Sequence, residues 1–407
     1  MKGPNSVSQI NTIKILNLRK VFRSIQKHQS TTRRQIQEDT GLSWGAVSQF
    51  CTALLSSGIA VEGAVQNHGI GKSPIEITLN SDDHYLIGID ISYKYVRGIL
   101  MTLGGQEIFS RTLSIRNPAH ILEYLRQIMD ELLKDHGSQK HFLAVGVSVT
   151  GATDLEHGIL KASIFSDKWT NLNVRKFLEE NFRIPVYVYS DTACVLTAEK
   201  YFGFLMDQAY QSALLVSLDY GVGMAYMHNR KIFYSKGRHQ CELGHITVRP
   251  GGTKCNCGKR GCLEMYASPL GLATQFREHF PRSASNSVFH DVGDTMLFSE
   301  IRQQVRKQDP FCNSLFQQCG ELLGSACASA CTLLEPDVLI LSGSLLDDRD
   351  YWISPFEEQF YANIFPLCQT KLVYSSIGSS APMMGAAFTA LDVLLNNLLT
   401  DALMSSP

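Results

Sequence analysis

The chain reads Glu242-Leu243-Gly244-His245 at the start of its most informative segment and Cys255-Asn256-Cys257-Gly258-Lys259-Arg260-Gly261-Cys262-Leu263-Glu264 at the end of it. One histidine and three cysteines lie within eighteen residues, and two of the cysteines form a Cys-x-Cys pair. Four nitrogen and sulfur ligands at this spacing are typical of a closed tetrahedral zinc site with a structural role, whereas unliganded thiols rarely cluster in this way. The predicted zinc ligands are His245, Cys255, Cys257 and Cys262.

Around this segment the chain carries one arrangement of strands and helices twice. In each half an apolar strand ending in a carboxylate is followed by two more strands and then by helix and strand. The first copy is predicted at Tyr85–Ile91, Tyr95–Met101, Glu107–Phe109, Ala119–Leu133, Phe142–Ser148 and Val186–Tyr189. The second is predicted at Ala213–Asp219, Val222–His228, Lys231–Phe233, Leu315–Leu334 and Val338–Leu341. Two such halves predict an α/β, two-lobed, actin-like fold of the sugar kinase and Hsp70 type, with a ligand cleft between the lobes.

The first eighty residues have a different pattern, which is helical and then strand-rich. Apolar residues with helical spacing predict three helices, and two strands that flank a glycine-bearing loop predict a wing. The helices are predicted at Asn11–His28, at Arg33–Asp39 and from Ser43 onward, and the strands at Gly58–Glu62 and Ser73–Leu79. The Thr40-Gly41 turn between the second and third helices completes a winged helix-turn-helix, whose third helix is expected to enter the major groove of DNA.

The charge distribution agrees with DNA binding by this N-terminal region. Although the whole chain has a net charge of -1, residues 1–80 hold nine Lys or Arg against four Asp or Glu. A basic small domain beside an acidic larger one is typical of a phosphate-binding module joined to a sensor or an enzyme. The alternative is a three-helix bundle used only for dimerisation. The residues expected to meet DNA are Arg33, Arg34, Ser43, Trp44, Ser48, Gln49 and Lys72.

Composition excludes several other classes of protein. Apolar residues make up 44% of the chain and charged residues 18%, as in soluble globular proteins, and no apolar run approaches the roughly 18 residues that span a bilayer. The N-terminus lacks the pattern of a secretory signal, so we expect a cytoplasmic protein without membrane insertion. In that compartment the eleven cysteines are thiols or metal ligands.

On these residues the chain resembles the ROK family (repressors, open reading frames and sugar kinases), in its repressor branch with an N-terminal winged helix. The resemblance implies three domains. It places the winged helix-turn-helix at 1–80, the first actin-like lobe at 81–198 and the second lobe with its zinc site at 199–384. A C-terminal helix at about 385–401 is expected to return to the first lobe.

The resemblance also implies a sugar site beside the zinc. It assigns sugar hydroxyl binding to Asp191, Glu242, His245 and Glu264, and Asp191 stands where the family's kinases have their catalytic base. Carboxylates accept hydrogen bonds from vicinal hydroxyls, which suits this role. Alternatively, Glu242 and Glu264 only orient the metal ligands. The Trp169-Thr170-Asn171 segment resembles the family's sugar-side loop, but Ser166 replaces an expected Asn.

The two turns that bind ATP phosphates in the family's kinases are altered here. Asp90-Ile91-Ser92-Tyr93-Lys94 replaces Asp-x-Gly-Gly-Thr, and Asp219-Tyr220-Gly221-Val222-Gly223 replaces a Gly-Thr-Gly turn. Lost glycines remove the backbone cradle for phosphates, and a carboxylate beside them is repulsive. We therefore predict no ATP binding and no catalytic residue, with Asp191 as the base only if the chain is a kinase.

The sequence thus predicts a sugar-responsive bacterial transcription regulator, expected to act as a repressor. It would bind double-stranded operator DNA as a homodimer or homotetramer, because one winged helix contacts too few phosphates, and be controlled by a sugar or sugar phosphate. The alternative is a sugar kinase that phosphorylates a hexose or amino sugar with ATP. A protein regulator in place of the sugar is a third possibility.

Overall fold

The computed structural model describes residues 4–65, 74–92, 94–134, 141–163, 166, 168–206, 208–234, 241–279 and 293–404. Lys72 at the predicted wing tip, Tyr93 of the first phosphate turn and most of a loop expected at 281–294 lie outside these ranges. Among the described helices, none is both long and apolar enough to cross a membrane.

The N-terminal region folds as a winged helix-turn-helix. Its elements are α1 (Pro4–His28), β1 (Ser30–Thr32), α2 (Arg33–Thr40), α3 (Trp44–Ser56), β2 (Ala60–Val65) and β3 (Ile75–Leu79). The strands form an antiparallel sheet in the order β1-β3-β2. Thr32 Oγ1 caps α2 by accepting from the amide of Gln35, and Gly41 ends that helix with φ +67°, in the left-handed region that glycine tolerates.

The first lobe has a five-stranded sheet in the order β11-β7-β4-β5-β6. Its elements in chain order are β4 (His84–Ile91), β5 (Tyr95–Thr102), β6 (Glu107–Ser114), α4 (Ile121–Leu133), β7 (His141–Val149), β8 (Ala152–Asp154), β9 (Ile159–Ala162), β10 (Leu172–Asn173), α5 (Val174–Phe182), β11 (Val186–Ser190) and α6 (Asp191–Tyr201). Strands β8 to β10 form a small separate sheet. Helix α6 continues three residues beyond the predicted lobe boundary at residue 198.

The second lobe repeats this architecture with the sheet order β14-β13-β12-β15-β16. Its elements are β12 (Ala213–Leu218), β13 (Val222–His228), β14 (Lys231–Ile232), α7 (Glu264–Ala267), α8 (Pro269–His279), α9 (Asp294–Arg306), α10 (Pro310–Leu334), β15 (Val338–Ser342), α11 (Ile353–Asn363) and β16 (Lys371–Tyr374). In both sheets the first three strands form an antiparallel meander and the later strands add in parallel. This confirms the predicted α/β, two-lobed, actin-like fold.

The last helix, α12 (Ala381–Met404), packs on β4, β7 and α6 of the first lobe and also touches α1. Glycines make this close approach possible. A Cβ atom on Gly385 would lie 1.7 Å from the carbonyl oxygen of Cys194 on α6, and one on Gly146 would lie 1.8 Å from the carbonyl oxygen of Ala386. Helix α12 therefore fastens the cleft-lining helix α6 to the body of the lobe and connects it to the N-terminal region.

Candidate ligand cleft, metal cluster and DNA-binding face

A cleft of about 940 Å³ lies between the two lobes. It opens at the carboxyl ends of the central strands, where actin-like and other open α/β sheets place their ligands. All four predicted sugar-binding residues line it: Asp191, Glu242, His245 and Glu264. Residues from both lobes therefore meet around a single space large enough for a sugar.

Asp191 is the first residue of α6, which Ser190 caps by accepting a hydrogen bond from Ala193. Its carboxylate accepts hydrogen bonds from Thr150 Oγ1 at 2.8 Å and from the Thr192 amide at 2.7 Å. Burial raises the pKa of Asp191 to about 7, although both hydrogen bonds act in the opposite direction. The carboxyl group is therefore held in one orientation at the cleft and changes its charge near neutral pH.

Glu264 connects the cleft to the metal cluster. It is buried, and its Oε2 accepts a hydrogen bond from the Val222 amide at 3.2 Å, while Oε1 lies 3.9 Å from Cys255 Sγ. A Cβ atom on Gly221 would lie 2.3 Å from Glu264 Oε2, so this glycine makes room for the carboxylate. Glu264 thus positions a cleft turn and a cysteine, and these contacts also fit the alternative role of orienting the metal ligands.

The predicted zinc ligands form one cluster. One ligand atom from each of the four lies within 4.8 Å of all the others, as a bound metal ion requires. Cys257 Sγ and Cys262 Sγ are 3.7 Å apart, close to the roughly 3.8 Å edge of a tetrahedron with Zn–S bonds of about 2.3 Å. His245 Nδ1 is 3.6 Å from Cys255 Sγ. The donor set and its spacing fit a metal ion such as zinc, which would join the loop to the base of the cleft.

Asp90, at the first predicted phosphate turn, forms an ion pair with a residue of the neighbouring strand. Asp90 is buried, and Arg97 Nη2 lies 2.8 Å from its Oδ2, while Ser148 Oγ donates to its Oδ1. Burial raises the pKa of Asp90, and Arg97 opposes this rise by its charge and its hydrogen bonds. The sequence singled out Asp90 but not Arg97, which comes from the neighbouring strand and has no motif of its own.

Asp219, at the second predicted phosphate turn, also has protein partners. Asp219 Oδ1 accepts a hydrogen bond from the Ser344 amide at 2.9 Å, and Ser217 Oγ lies 3.3 Å from its Oδ2. Lys94 of the first lobe has its Nζ 5.1 Å from the ring centre of Tyr220, which belongs to the second lobe. Both turns therefore carry contacts to protein groups on the cleft side of their lobes.

The predicted sugar-side loop is placed differently from the other cleft residues. Trp169 is fully buried in the core of the first lobe, and its Nε1 donates to the carbonyl oxygen of Pro118 at 2.9 Å. It does not line the cleft. By contrast, Thr150 contacts Asp191 and was missed, because only the fold brings the end of β7 beside the start of α6.

The third helix exposes most of its predicted DNA contacts. Ser43 caps α3 and is exposed, as are Trp44 and Gln49, whereas Ser48 is half-buried. Among the α2 residues, Arg34 is exposed and lies 3.3 Å from Glu38. The side chain of Arg33 is only 23% exposed, and its Nη2 lies 3.9 Å from Glu62 Oε1, so it faces strand β2.

The helix-turn-helix is tied together by one carboxylate. Asp39 near the end of α2 contacts Ser24 Oγ at 2.6 Å and His28 Nε2 at 2.8 Å, and both of these partners lie on α1. Gln35 donates to its second oxygen. Asp39 therefore joins α1 to α2, the helix that precedes α3.

Comparison with known proteins agrees with this architecture. The xylose repressor of Bacillus spizizenii is 24% identical over 390 residues, covering 94% of this chain and 97% of the repressor. The DNA-binding transcriptional dual regulator NagC of Escherichia coli is 24% identical over 415 residues, covering 98% of each. A crystal structure of a ROK family transcriptional regulator, a homologue of the E. coli MLC protein, shares the fold with a TM-score of 0.75 at 22% identity, covering 95% of this chain and 98% of that one.

Sugar kinases match a smaller part of the chain. A glucokinase of Halalkalibacterium halodurans and one of Streptomyces griseus each cover 75% of it, whereas the regulators extend over nearly all of it. The profile of the ROK family matches residues 86–393. The chain therefore belongs to the ROK family, in its transcription-regulator branch.

Proposed function

We propose that this protein is a cytoplasmic repressor that binds operator DNA through residues 1–80 and releases it when a sugar or sugar phosphate occupies the cleft between lobes 81–198 and 199–384. The observation that carries this proposal is the joining of a winged helix-turn-helix to a two-lobed cleft in which Asp90 and Asp219, at the two predicted phosphate turns, have protein partners. The named regulators to which the chain is similar in full length support the same conclusion.

The contents of the phosphate turns argue against the alternative of a sugar kinase. A kinase of this fold needs free backbone N–H groups and low negative charge where ATP phosphates lie. Here the Ser344 amide donates to Asp219, whose carboxylate also adds negative charge to the second turn. Without ATP, Asp191 would serve as a hydrogen-bond acceptor for a sugar hydroxyl and not as a catalytic base.

The sugar would lie among Asp191, Glu242, His245 and Glu264, above the metal cluster. We propose that zinc occupies the cluster and fixes the loop that carries Glu242 and His245, a structural role that requires no open coordination position. His245 would use Nδ1 for the metal, which leaves Nε2 for the ligand.

DNA recognition would use the exposed side chains at the start of α3. In this arrangement Trp44, Ser48 and Gln49 meet base edges or sugars, and Arg34 with Lys72 contacts phosphates. A homodimer or homotetramer would present two such modules to a two-fold operator, since a single module buries too little surface for specific affinity.

The proposal is tested with purified protein and a panel of pentoses, hexoses, amino sugars and their phosphates. Calorimetry with and without ATP identifies the ligand, a coupled assay measures ADP release, and operator fragments selected from random duplex DNA report DNA affinity. We expect one sugar to bind without ADP release and to weaken DNA binding at least tenfold. Sugar-dependent ADP release that is lost in Asp191→Asn would instead establish a kinase.

A further inference from the structure

A buried ion cluster joins the N-terminal DNA-binding region to the sugar-kinase-like body. At its centre is Asp392 of α12, and we call it the Asp392 cluster. Arg19 of α1 lies 3.0 Å from Asp392 Oδ1, and Lys200 of α6 has its Nζ 3.7 Å from Oδ2. Tyr201 donates its hydroxyl to Asp392 at 2.5 Å, and the guanidinium of Arg23 lies 4.5 Å above the Tyr201 ring. Three helices from different parts of the chain therefore meet at one carboxylate.

The cluster is a buried feature and not a chance contact of surface charges. Asp392 and Lys200 have 9% and 8% of their surface exposed. Burial raises the pKa of Asp392, but the charges of Lys200 and Arg19 outweigh this effect and keep the pKa below its ordinary value. Burial also lowers the pKa of Lys200 to about 8. A buried carboxylate with several partners depends on their exact placement, because each lost partner leaves charge uncompensated.

Helix α6 connects this cluster to the ligand cleft. The helix begins at Asp191, which faces the cleft, and ends at Lys200 and Tyr201, so its eleven residues span roughly 16 Å at about 1.5 Å per residue. Along its length it is held to α12 by the hydrogen bond between Thr389 and Thr197, 3.0 Å long. A helix packed this closely moves as a body with its neighbours, so a shift at its first turn reaches its last turn.

We propose that the Asp392 cluster is the coupling point through which occupancy of the cleft changes the position of the DNA-binding region. This inference rests on the proposed function. A sugar bound to Asp191 displaces α6 together with α12, the displacement moves Asp392 relative to Arg19, and Arg19 transmits the change to α1. From α1 the Asp39 contacts with Ser24 and His28 carry it to the helix-turn-helix.

Substitution of Arg19 tests the coupling separately from binding. Arg19→Met keeps the length of the side chain but removes its charge, and it lies in neither the proposed sugar site nor the proposed DNA-binding face. We expect sugar affinity and sugar-free operator affinity within about threefold of wild type. The ratio of operator affinities without and with sugar should fall from tenfold or more to below threefold, because Arg19 is the proposed link between Asp392 and α1.

A matched control comes from the next residue. Lys20 is exposed on the same helix, so Lys20→Met should leave the ratio at its wild-type value. Arg19→Lys should restore part of the response, since a cation returns beside Asp392. If Arg19→Met does not fold, Arg23→Leu replaces it and should lower the ratio by removing the contact with Tyr201.

Failure of the proposed function and failure of the coupling give different results in these experiments. A wild-type protein whose operator affinity responds to no sugar overturns the proposed function and, with it, the coupling. A wild-type response that Arg19→Met and Arg23→Leu both retain overturns only the coupling through the Asp392 cluster. Hydrogen exchange of α1 amides, measured with and without sugar, should show a sugar-dependent change in wild type that is lost in Arg19→Met.

Discussion

At the scale of single residues, the two predicted phosphate turns are characterised by what their carboxylates contact. Asp90 forms an ion pair with Arg97. Asp219 accepts a hydrogen bond from the Ser344 amide. The sequence predicted loss of the phosphate cradle from missing glycines, but it could not predict these partners, because strand pairing and the fold bring them together.

Removing Arg97 should therefore destabilise the protein. Arg97→Met leaves Asp90 buried without its cation, and we expect the free energy of unfolding in urea to fall by about 3 kcal/mol. Asp90→Asn combined with Arg97→Met should lose less, because no charge stays buried. Arg34→Met, at an exposed ion pair, is the control and should change stability by less than about 0.5 kcal/mol. Equal losses in the Arg97 and Arg34 variants would contradict this account.

Asp191 should make stability depend on pH. Its pKa is about 7 in the folded protein and near 3.8 in a free side chain, so the folded state binds more protons between these values. Stability should consequently fall as the pH rises from about 4 to 7 and then level off. Because the carboxyl borders the solvent-filled cleft, we expect a total loss of only about 1–2 kcal/mol. Urea unfolding across this range should show a smaller loss in Asp191→Asn; an unchanged pH profile would argue against the raised pKa.

The metal content of the purified protein tests the four proposed zinc ligands. Purified protein should contain about one zinc ion per chain, and Cys255→Ser should lose it, because a hydroxyl is a poor replacement for a buried thiolate ligand. Elemental analysis and a zinc-binding dye measure the content, and the melting temperature should fall together with it. Cys368→Ser, at a partly buried cysteine outside the cluster, should retain the metal. Zinc-free wild-type protein with full stability would contradict the assignment.

At the scale of secondary structure, periodicity predicted most elements and missed those that depend on distant partners. The meander strands and the helices of the DNA-binding region were found from local pattern alone. The short strand β1 (Ser30–Thr32) was not predicted, because it forms only by pairing with β3 in the winged sheet. Helix α10 begins at Pro310, five residues before the prediction, because Asp309 caps it and proline suits the first helical position. Tertiary pairing and cap chemistry account for these differences.

Helix α3 allows stability and DNA binding to be separated. A Cβ atom on Gly45 would meet no atom within 4 Å, so Gly45→Ala should stabilise the protein by about 0.5–1 kcal/mol through higher helix propensity. If the exposed face of α3 lies in the major groove, the same methyl group should weaken operator binding.

The contrasting variant is Gly385→Ala, which would place a Cβ atom 1.7 Å from the Cys194 carbonyl oxygen and should destabilise the protein by about 2 kcal/mol or more. Thermal unfolding and fluorescence anisotropy with labelled operator measure the two effects. Stabilised Gly45→Ala protein with unchanged operator affinity would place the DNA elsewhere.

At the scale of the whole molecule, the cleft is assembled from residues far apart in the sequence. Family motifs predicted Asp191, Glu242, His245 and Glu264, because each stands in a recognisable segment. Thr150, Arg97 and Ser344 were not predicted, since their roles arise only when β7, β5 and the turn after β15 reach the same cleft. Motifs therefore located the proposed sugar-binding residues better than the contacts around Asp90 and Asp219.

The intact protein should respond to the sugar and not to ATP. If the turns at Asp90 and Asp219 do not bind phosphate, as the proposed function requires, millimolar ATP with Mg²⁺ should leave the melting temperature unchanged, whether or not sugar is present. The effector sugar alone, at one hundred times its dissociation constant, should stabilise the protein by about 2.7 kcal/mol. Small-angle scattering should show the lobes closing with sugar alone, because residues of both lobes line the sugar side. An ATP-dependent rise in melting temperature that requires sugar would instead indicate a complete kinase site, in which the contacts of Asp219 and Arg97 rearrange to admit phosphate.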